Sequence, residues 1–309
     1  SWATVPWFVI TKSILSSTSC FVEIFLGIKH IFSNFINKLL ITFPNIQITS
    51  LDCYSSGLRS NHIDSEKVRY IEGYTWDIRS IFSDEKFDIV YHFGEYSRIV
   101  NSFDDFEFVS KSIVKGTLEV LKFVLNTKAR LIYSASSSKF GNDGKDENLS
   151  PYAFFKSKNV ELIKNLGDWF NLKYSICYFF NVYGKNHIKT GNYATVIAIF
   201  EEQFRNQEAL SVVRPGTQSR DFTHIDDICS GLIKATKKNM RAEYHLRYGE
   251  NFQIIDVAKT FSDKIIHIEE RRGERFNSEY FHSDTNETLN WHAKINLLDY
   301  INDFKKTVN

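Results

Sequence analysis

Glycine is nearly absent from the start of the chain. Of 14 glycines in 309 residues, only Gly27 precedes Gly57. Proline is also scarce, at four, and Met240 is the single methionine. Neither sign of charge is in excess, because 38 Lys and Arg stand against 37 Asp and Glu for a net charge of +1. That balance argues against a nucleic-acid binder, which neutralises phosphates with a basic surface. The four cysteines, Cys20, Cys53, Cys177 and Cys229, form no C-x-x-C pair. Neither a disulfide framework nor a zinc knuckle can be written from them, and free thiols fit a reducing cytoplasm. The nine histidines lack H-E-x-x-H spacing, so no metal site is expected. The most apolar run, Ile14 to Phe32, carries Glu23, Lys29 and His30. Such charges are costly in a bilayer, and no cationic leader or small-residue cleavage site is present, so no membrane segment is expected.

What is present suits a packed core. Apolar residues make up 43% and charged residues 24%, which disfavours disorder. The length allows one large domain or two ordinary ones, at about 100–200 residues each.

From residue 46 onward short apolar runs alternate with longer amphipathic ones. Ile46–Leu51, Val68–Ile71, Asp88–Phe93, Ala129–Tyr133 and Tyr174–Phe179 read as strands. Asp104–Leu125 carries Phe106, Val109, Ile113, Leu118, Leu121 and Leu125 at helical spacing. Pro151–Phe170 reads as a helix with its proline in the first turn, where a missing N–H is harmless. This βαβα alternation implies a mostly parallel sheet with helices on both faces. After about residue 184 the rhythm changes. A helix over Tyr193–Asn206, a strand over Leu210–Val213, a turn at Pro215-Gly216 and a helix from about His224 to Lys237 are expected. No linker separates this part from the first.

In such sheets ligands bind beyond the carboxyl ends of the strands. Three strand ends carry candidate chemistry. Asp52 ends the second run, where an acidic side chain suits ribose hydroxyls. A hydroxyl-rich run, Ser134 to Ser138, follows the strand at Tyr133. Tyr152 and Lys156 open the next helix at i, i+4 spacing, on one face. A free tyrosine has a pKa of about 10, and a cation one turn away favours its phenolate. Ser136, 16 residues upstream, is placed to share a proton with a substrate alcohol. Each feature taken alone is weak; the serine, tyrosine and lysine in this order within a βαβ pattern are specific.

With these residues in order, the sequence resembles the NAD-dependent epimerase/dehydratase branch of the extended short-chain dehydrogenases. The resemblance runs from about Ser33 to Lys305, through SNFINKLL, ITSLDCYSSG, DIVYHFGE, SASSSKFG, SPYAFFKSKNVEL, YFFNVYGKN, VVRPGTQSRDFTHIDDI, RRGE and TLNW. It implies a Rossmann-like doubly wound parallel sheet over 1–183 and a smaller C-terminal α/β substrate domain over 184–309. About 220–247 would pack back on the first. The resemblance makes Tyr152 the acid/base, with Lys156 holding the cofactor ribose and Ser136 bridging to the sugar hydroxyl. Asp52 would bind the adenosine ribose, Asp77 and Ile78 flank the adenine, and Phe93 and Phe179 lie by the cofactor, NAD. Asn181, Arg220 and Arg271 would hold a nucleotide-sugar diphosphate, a role that suits arginine. Ser278 would tune the pocket to the sugar C2 substituent. The reaction implied is reversible oxidation at C4 of a UDP-hexose. Dehydratases and decarboxylases of the family place acidic residues after the catalytic serine or threonine, where this chain has Ser137 and Ser138. An NAD(P)-dependent 4-ketoreductase and a non-catalytic nucleotide-sugar-binding protein are the alternatives. The family's commonest assembly, a homodimer, would pair the helices of Asp104–Leu125 and Pro151–Phe170.

One motif breaks. The family's G-x-x-G-x-x-G falls on Leu26, Lys29 and Phe32, with Gly27 one place off, while Ser33-Asn34 match. Those glycines permit the tight turn, the approach to pyrophosphate and close helix packing. Glu23 would lie in a central strand. Either residues 1 to about 32 are not the family's native reading, or the N-terminus is rebuilt with Phe8–Thr11 as the strand. The first account predicts weak NAD binding.

Overall fold

The short β-branched and aromatic runs meet in one twisted sheet. The computed structural model describes residues 22–26, 31–55, 59–140, 145–189, 191, 194–238, 241–270, 272–273, 276 and 283–308. The first part runs β1 (Val22–Leu26), α1 (Ile31–Thr42), β2 (Gln47–Asp52), β3 (Val68–Glu72) and α2 (Ile78–Ile81). Next come β4 (Ile89–His92), α3 (Phe106–Ser110), a π-helical turn over Lys111–Gly116 and α4 (Thr117–Thr127). β5 (Arg130–Ser136), α5 (Pro151–Phe170) and β6 (Tyr174–Phe179) follow. The remainder is β7 (Asn181–Tyr183), α6 (Val196–Arg205), β8 (Leu210–Val213), β9 (Ser219–His224) and α7 (Ile225–Lys237). It ends with β10 (Ala242–Leu246), β11 (Asn251–Gln253), α8 (Ile254–Phe261), β12 (Ile265–Ile268), α9 (Thr285–Leu289) and α10 (Leu297–Val308).

The seven-stranded sheet has the order β10-β6-β5-β4-β1-β2-β3, and every pair in it is parallel. The chain moves outward from β1 to β3 and then crosses to β4, so the doubly wound switch point lies between β1 and β4. β4 and β6 are buried along their whole length, as expected for strands covered by helices on both faces. On one face Phe35, Ile36 and Leu39 of α1 join Ile228 and Leu232 of α7 over Tyr91, Phe93 and Cys177. On the other, Val120 and Val124 of α4 and Val160 and Ile163 of α5 pack on Leu131, Tyr133 and Ile176. A separate core gathers Ile197, Phe200, Leu210, Val257, Phe261, Leu297 and Ile301.

The second half is not confined to its own lobe. β10 pairs with β6 at the sheet edge, and α7 lies beside α1. Leu289 and Trp291 join the same core, and Trp291 Nε1 donates to Ser230 Oγ on α7 (2.8 Å).

Local sequence explains the best-read helix. α5 begins at Pro151, and Ser150 Oγ caps it by accepting from Ala153 N (3.1 Å). It ends on Asn171, whose φ of 58° is left-handed. Two expectations need correction. The helix read over Asp104–Leu125 is interrupted by the π turn. There Gly116 packs so closely that an added Cβ would lie 2.3 Å from Thr75 Oγ1, and the Ile113 carbonyl accepts from Asn159 Nδ2 of α5 (2.9 Å). Apolar spacing alone does not register such an extra residue in the turn. The helix read over Tyr193–Asn206 begins later, at Val196. At the N-terminus β1 takes the register that puts Leu26 at the family's first glycine position, with Glu23 opposite Ile48 and Ile89. Phe8–Thr11 lies outside the described residues, as do Gly27 and Lys29.

Candidate active site

A cavity of about 410 Å³ opens at the carboxyl ends of β4, β5 and β6. Ser136, Tyr152, Lys156, Phe179, Asn181 and Arg220 all line it. Strand β5 delivers Ser136 as its last residue, and α5 returns Tyr152 and Lys156 in its first two turns. Ser136 Oγ accepts from Ser138 N (3.2 Å) and pairs with Ser138 Oγ (2.8 Å). Asn181 Nδ2 donates to the Asp221 carbonyl (3.2 Å), and Arg220 Nη1 donates to the Ser219 carbonyl (2.8 Å). Hydroxyl, phenol and ammonium groups thus face one space, a donor set suited to general acid–base chemistry on an alcohol. Arg98, which the sequence reading did not single out, also lines this space, and its guanidinium and that of Arg220 suit an anionic group.

The other candidates lie elsewhere. Asp52 ends β2, and its Oδ1 accepts from Tyr54 N (2.8 Å). Asp77 is exposed and Ile78 is buried, packed with Leu51 and Phe82. Phe93, just past β4, is fully buried, with its ring 5.7 Å from that of Phe179. None of these four lines the cavity. Arg271 and Ser278 lie outside the described residues.

The cavity wall carries a polar network, centred on Glu95, that sequence spacing did not reveal. Glu95 is buried, and its carboxylate meets Lys156, Tyr133, Thr117 and Asn159. Burial pushes its pKa up, but Lys156 and His92 more than offset this, and the carboxyl is held below the ordinary range. Tyr133 is pushed well above the usual tyrosine range by burial and by Glu95. The only signal in the sequence was a charged residue three places after His92, at the end of an otherwise apolar strand.

His92 gives the network a pH dependence. It is fully buried, its Nε2 meets Thr117 Oγ1 (2.8 Å), and its Nδ1 has no partner among the described residues. Burial pushes its pKa down to about 4, against the pull of Glu95. An unfolded histidine takes up its proton near pH ~6.5, so between those values the unfolded chain binds more protons than the folded one. Stability is therefore lost as pH falls from about 6.5 towards 4, and His92 accounts for about 2 kcal/mol of this at pH ~5. His245, also pushed down to about 4 by burial, acts in the same window. The expected result is an unfolding midpoint that falls steadily over this range, with a shallower slope in His92→Gln. An equal slope in the variant would refute the assignment.

The described residues fit a dinucleotide at the switch point. Ser33 Oγ is buried without a partner among the described residues, in the first turn of α1, whose N-terminus favours an anion. Ile31, one turn end away, lines the same cavity as Lys156 and Phe179, and Asp52 stands at the neighbouring strand end.

Comparison with known proteins agrees with this geometry. The model of the NAD dependent epimerase/dehydratase family matches residues 45–254. A UDP-glucuronate 4-epimerase of Thermodesulfobacterium geofontis is 29% identical over 257 residues, 75% of either chain. The human dTDP-D-glucose 4,6-dehydratase is 24% identical over 294 residues, 90% of this chain and 77% of the relative. In fold, the UDP-glucose 4-epimerase of Thermotoga maritima, solved with UDP-glucose, superposes with a TM-score of 0.83 at 21% identity, over 93% of this chain and 99% of its own. Among the described residues no helix is long and apolar enough to cross a membrane. With more than half of its length matched, and with the serine, tyrosine and lysine gathered at the carboxyl edge of a doubly wound sheet, the chain belongs to the NAD-dependent epimerase/dehydratase family.

Proposed function

We propose that this chain is a nucleotide-sugar 4-epimerase acting on a UDP-hexose. The observation that carries the reading is the convergence of Ser136, Tyr152 and Lys156 on one cavity, followed in sequence by the hydroxyls of Ser137 and Ser138. A 4,6-elimination requires an acid and a base around C5 and C6, and those two hydroxyls supply neither. Tyr152 takes the proton from the sugar 4-hydroxyl as hydride leaves C4, and returns it to the same oxygen once the turned 4-keto sugar has taken the hydride back on its other face. Ser136 holds that hydroxyl, and Lys156 holds the cofactor ribose. Arg220 and Asn181 hold the diphosphate, a role that the resemblance also gives to Arg271, and the resemblance makes Ser278 the residue that tunes the pocket to the sugar. Bound NAD would supply the hydride acceptor and donor, and Asp52, Asp77, Ile78, Phe93, Tyr152, Lys156 and Phe179 are the residues to which the resemblance gives the role of holding it.

The test is NMR of UDP-galactose with the protein and added NAD. Conversion to UDP-glucose without net redox supports the epimerase. Consumption of external reduced cofactor on a 4-keto sugar would make it a ketoreductase instead. Binding of UDP without turnover would favour a non-catalytic binding protein, the reading to which the substituted glycines Leu26, Lys29 and Phe32 point.

We also infer a homodimer. Phe106, Val114, Leu118 and Phe154 leave large apolar surfaces exposed along α3, the π turn, α4 and α5, and such a patch marks an interaction face. Sedimentation is expected to give twice the 36.0 kDa of one chain, and Phe106→Glu with Leu118→Glu is expected to give the monomer. A wild-type monomer at micromolar concentration would end that inference.

A further inference from the structure

Lys156 is tied down by groups of the cavity wall, Glu95 and Ser134 among them. Its Nζ donates to the Ser134 carbonyl (2.5 Å) and to the Glu95 carboxylate, with the Tyr133 hydroxyl at 3.5 Å. The ammonium also lies 4.6 Å from the centroid of the Tyr133 ring. Glu95 is itself held from three elements. Thr117 Oγ1 of α4 (2.5 Å) and Asn159 Nδ2 of α5 (2.9 Å) donate to Oε1, and the Tyr133 hydroxyl of β5 lies 3.0 Å from both oxygens. The side chains of Glu95 and Lys156 are 1% and 6% exposed.

We propose that Glu95 is a positioning residue, which anchors the Lys156 ammonium so that its remaining N–H faces the cavity. The inference rests on the reading of Lys156 as the partner of Tyr152 and the cofactor ribose. Lysine is a point charge on a flexible four-carbon stem, so by itself it fixes neither its direction nor, once buried, its charge. A rigid buried carboxylate supplies both, and its own donors keep it from swinging away. The ionisable groups that face the pair are His92 from β4, Tyr133 from β5 and Tyr152 from α5, with Arg98 and Arg220 on the cavity wall.

The anchor is tested first without activity. Protein labelled with nitrogen-15 at lysine Nζ and carbon-13 at glutamate is expected to show one slowly exchanging ammonium signal, absent in Lys156→Met. That signal should couple across the hydrogen bond to a Glu95 carboxyl carbon and vanish or broaden in Glu95→Gln. A wild-type spectrum without the coupling overturns the proposal even if the variant fails to fold. The second arm is kinetic. Glu95→Gln is expected to lower kcat roughly tenfold or more, as misplaced catalytic groups do, with the KM for the nucleotide sugar within about twofold. In a Lys156→Met background the same substitution is expected to add nothing, because residues that act as one unit are not additive. Effects that multiply, or wild-type kcat in Glu95→Gln, overturn the proposal. Absence of any UDP-hexose turnover in the wild type refutes the epimerase reading and leaves the spectrum to decide the anchor.

Discussion

Tyr152→Phe is expected to lower UDP-hexose turnover by about 10²–10⁴-fold, the range for loss of a positioned acid–base group, while leaving the unfolding midpoint nearly unchanged. The substitution removes one oxygen. Phenylalanine keeps the ring and the helix position, and the Tyr152 backbone N–H still points to Ser102 Oγ (3.4 Å). Ser136 and Lys156 remain in the cavity, so binding of the nucleotide sugar is expected to persist. The predicted signature is therefore a fall in kcat with little change in KM, read from the UDP-galactose conversion. A wild-type rate in the variant would remove Tyr152 from the chemistry. A loss of binding together with rate would show that the hydroxyl serves the ground state as well.

Asp221→Ala is expected to destabilise the fold by about 3–5 kcal/mol, the range for breaking a buried ion pair by deleting one partner. Asp221 is fully buried on β9 and faces the Arg247 guanidinium (3.2 Å). Its carboxylate also accepts from Tyr248 N (3.1 Å), Gly249 N (2.9 Å) and Thr223 Oγ1 (3.3 Å). Burial pushes its carboxyl above the ordinary range, outweighing the attraction of Arg247 and these donors. What the variant loses is satisfaction: a buried guanidinium loses its carboxylate, the Gly249 N–H loses its acceptor, and the Tyr248 N–H is left with Thr223 Oγ1 (3.0 Å). Asp221→Asn keeps an acceptor and is expected to lose less. Denaturant midpoints of the three proteins check the order, and an Asp221→Ala midpoint equal to wild type would contradict it.

The parts of this molecule that sequence exposes are those set by local pattern. Pro151–Phe170 was legible to the residue because a serine cap, a first-turn proline and an unbroken apolar stripe all agree on it. Tyr174–Phe179 and Leu210–Val213 were legible because buried parallel strands are continuous apolar runs. The i, i+4 tyrosine and lysine were legible for the same reason. Glu95 was not, since its partners Thr117, Tyr133, Lys156 and Asn159 come from other elements, and no periodicity records a contact of that kind. The three-residue strands Asn181–Tyr183 and Asn251–Gln253 are too short to carry an alternating pattern. The π turn was hidden because its helix keeps the apolar face that an α-helix would have.

The edge strand β10 has a consequence for how the chain is made. The sheet is begun by residues near the start and completed only when Ala242–Leu246 pair with Tyr174–Phe179. Until then β6 offers an open edge, and Phe93 and Cys177 wait for the helix Ile225–Lys237 to cover them. On the ribosome, the seven-stranded sheet is therefore held unfinished until the chain has emerged through β10. Such non-local closure slows folding and leaves an unpaired strand exposed to other chains. A nascent chain stalled near residue 183 is the species a chaperone would have to shield.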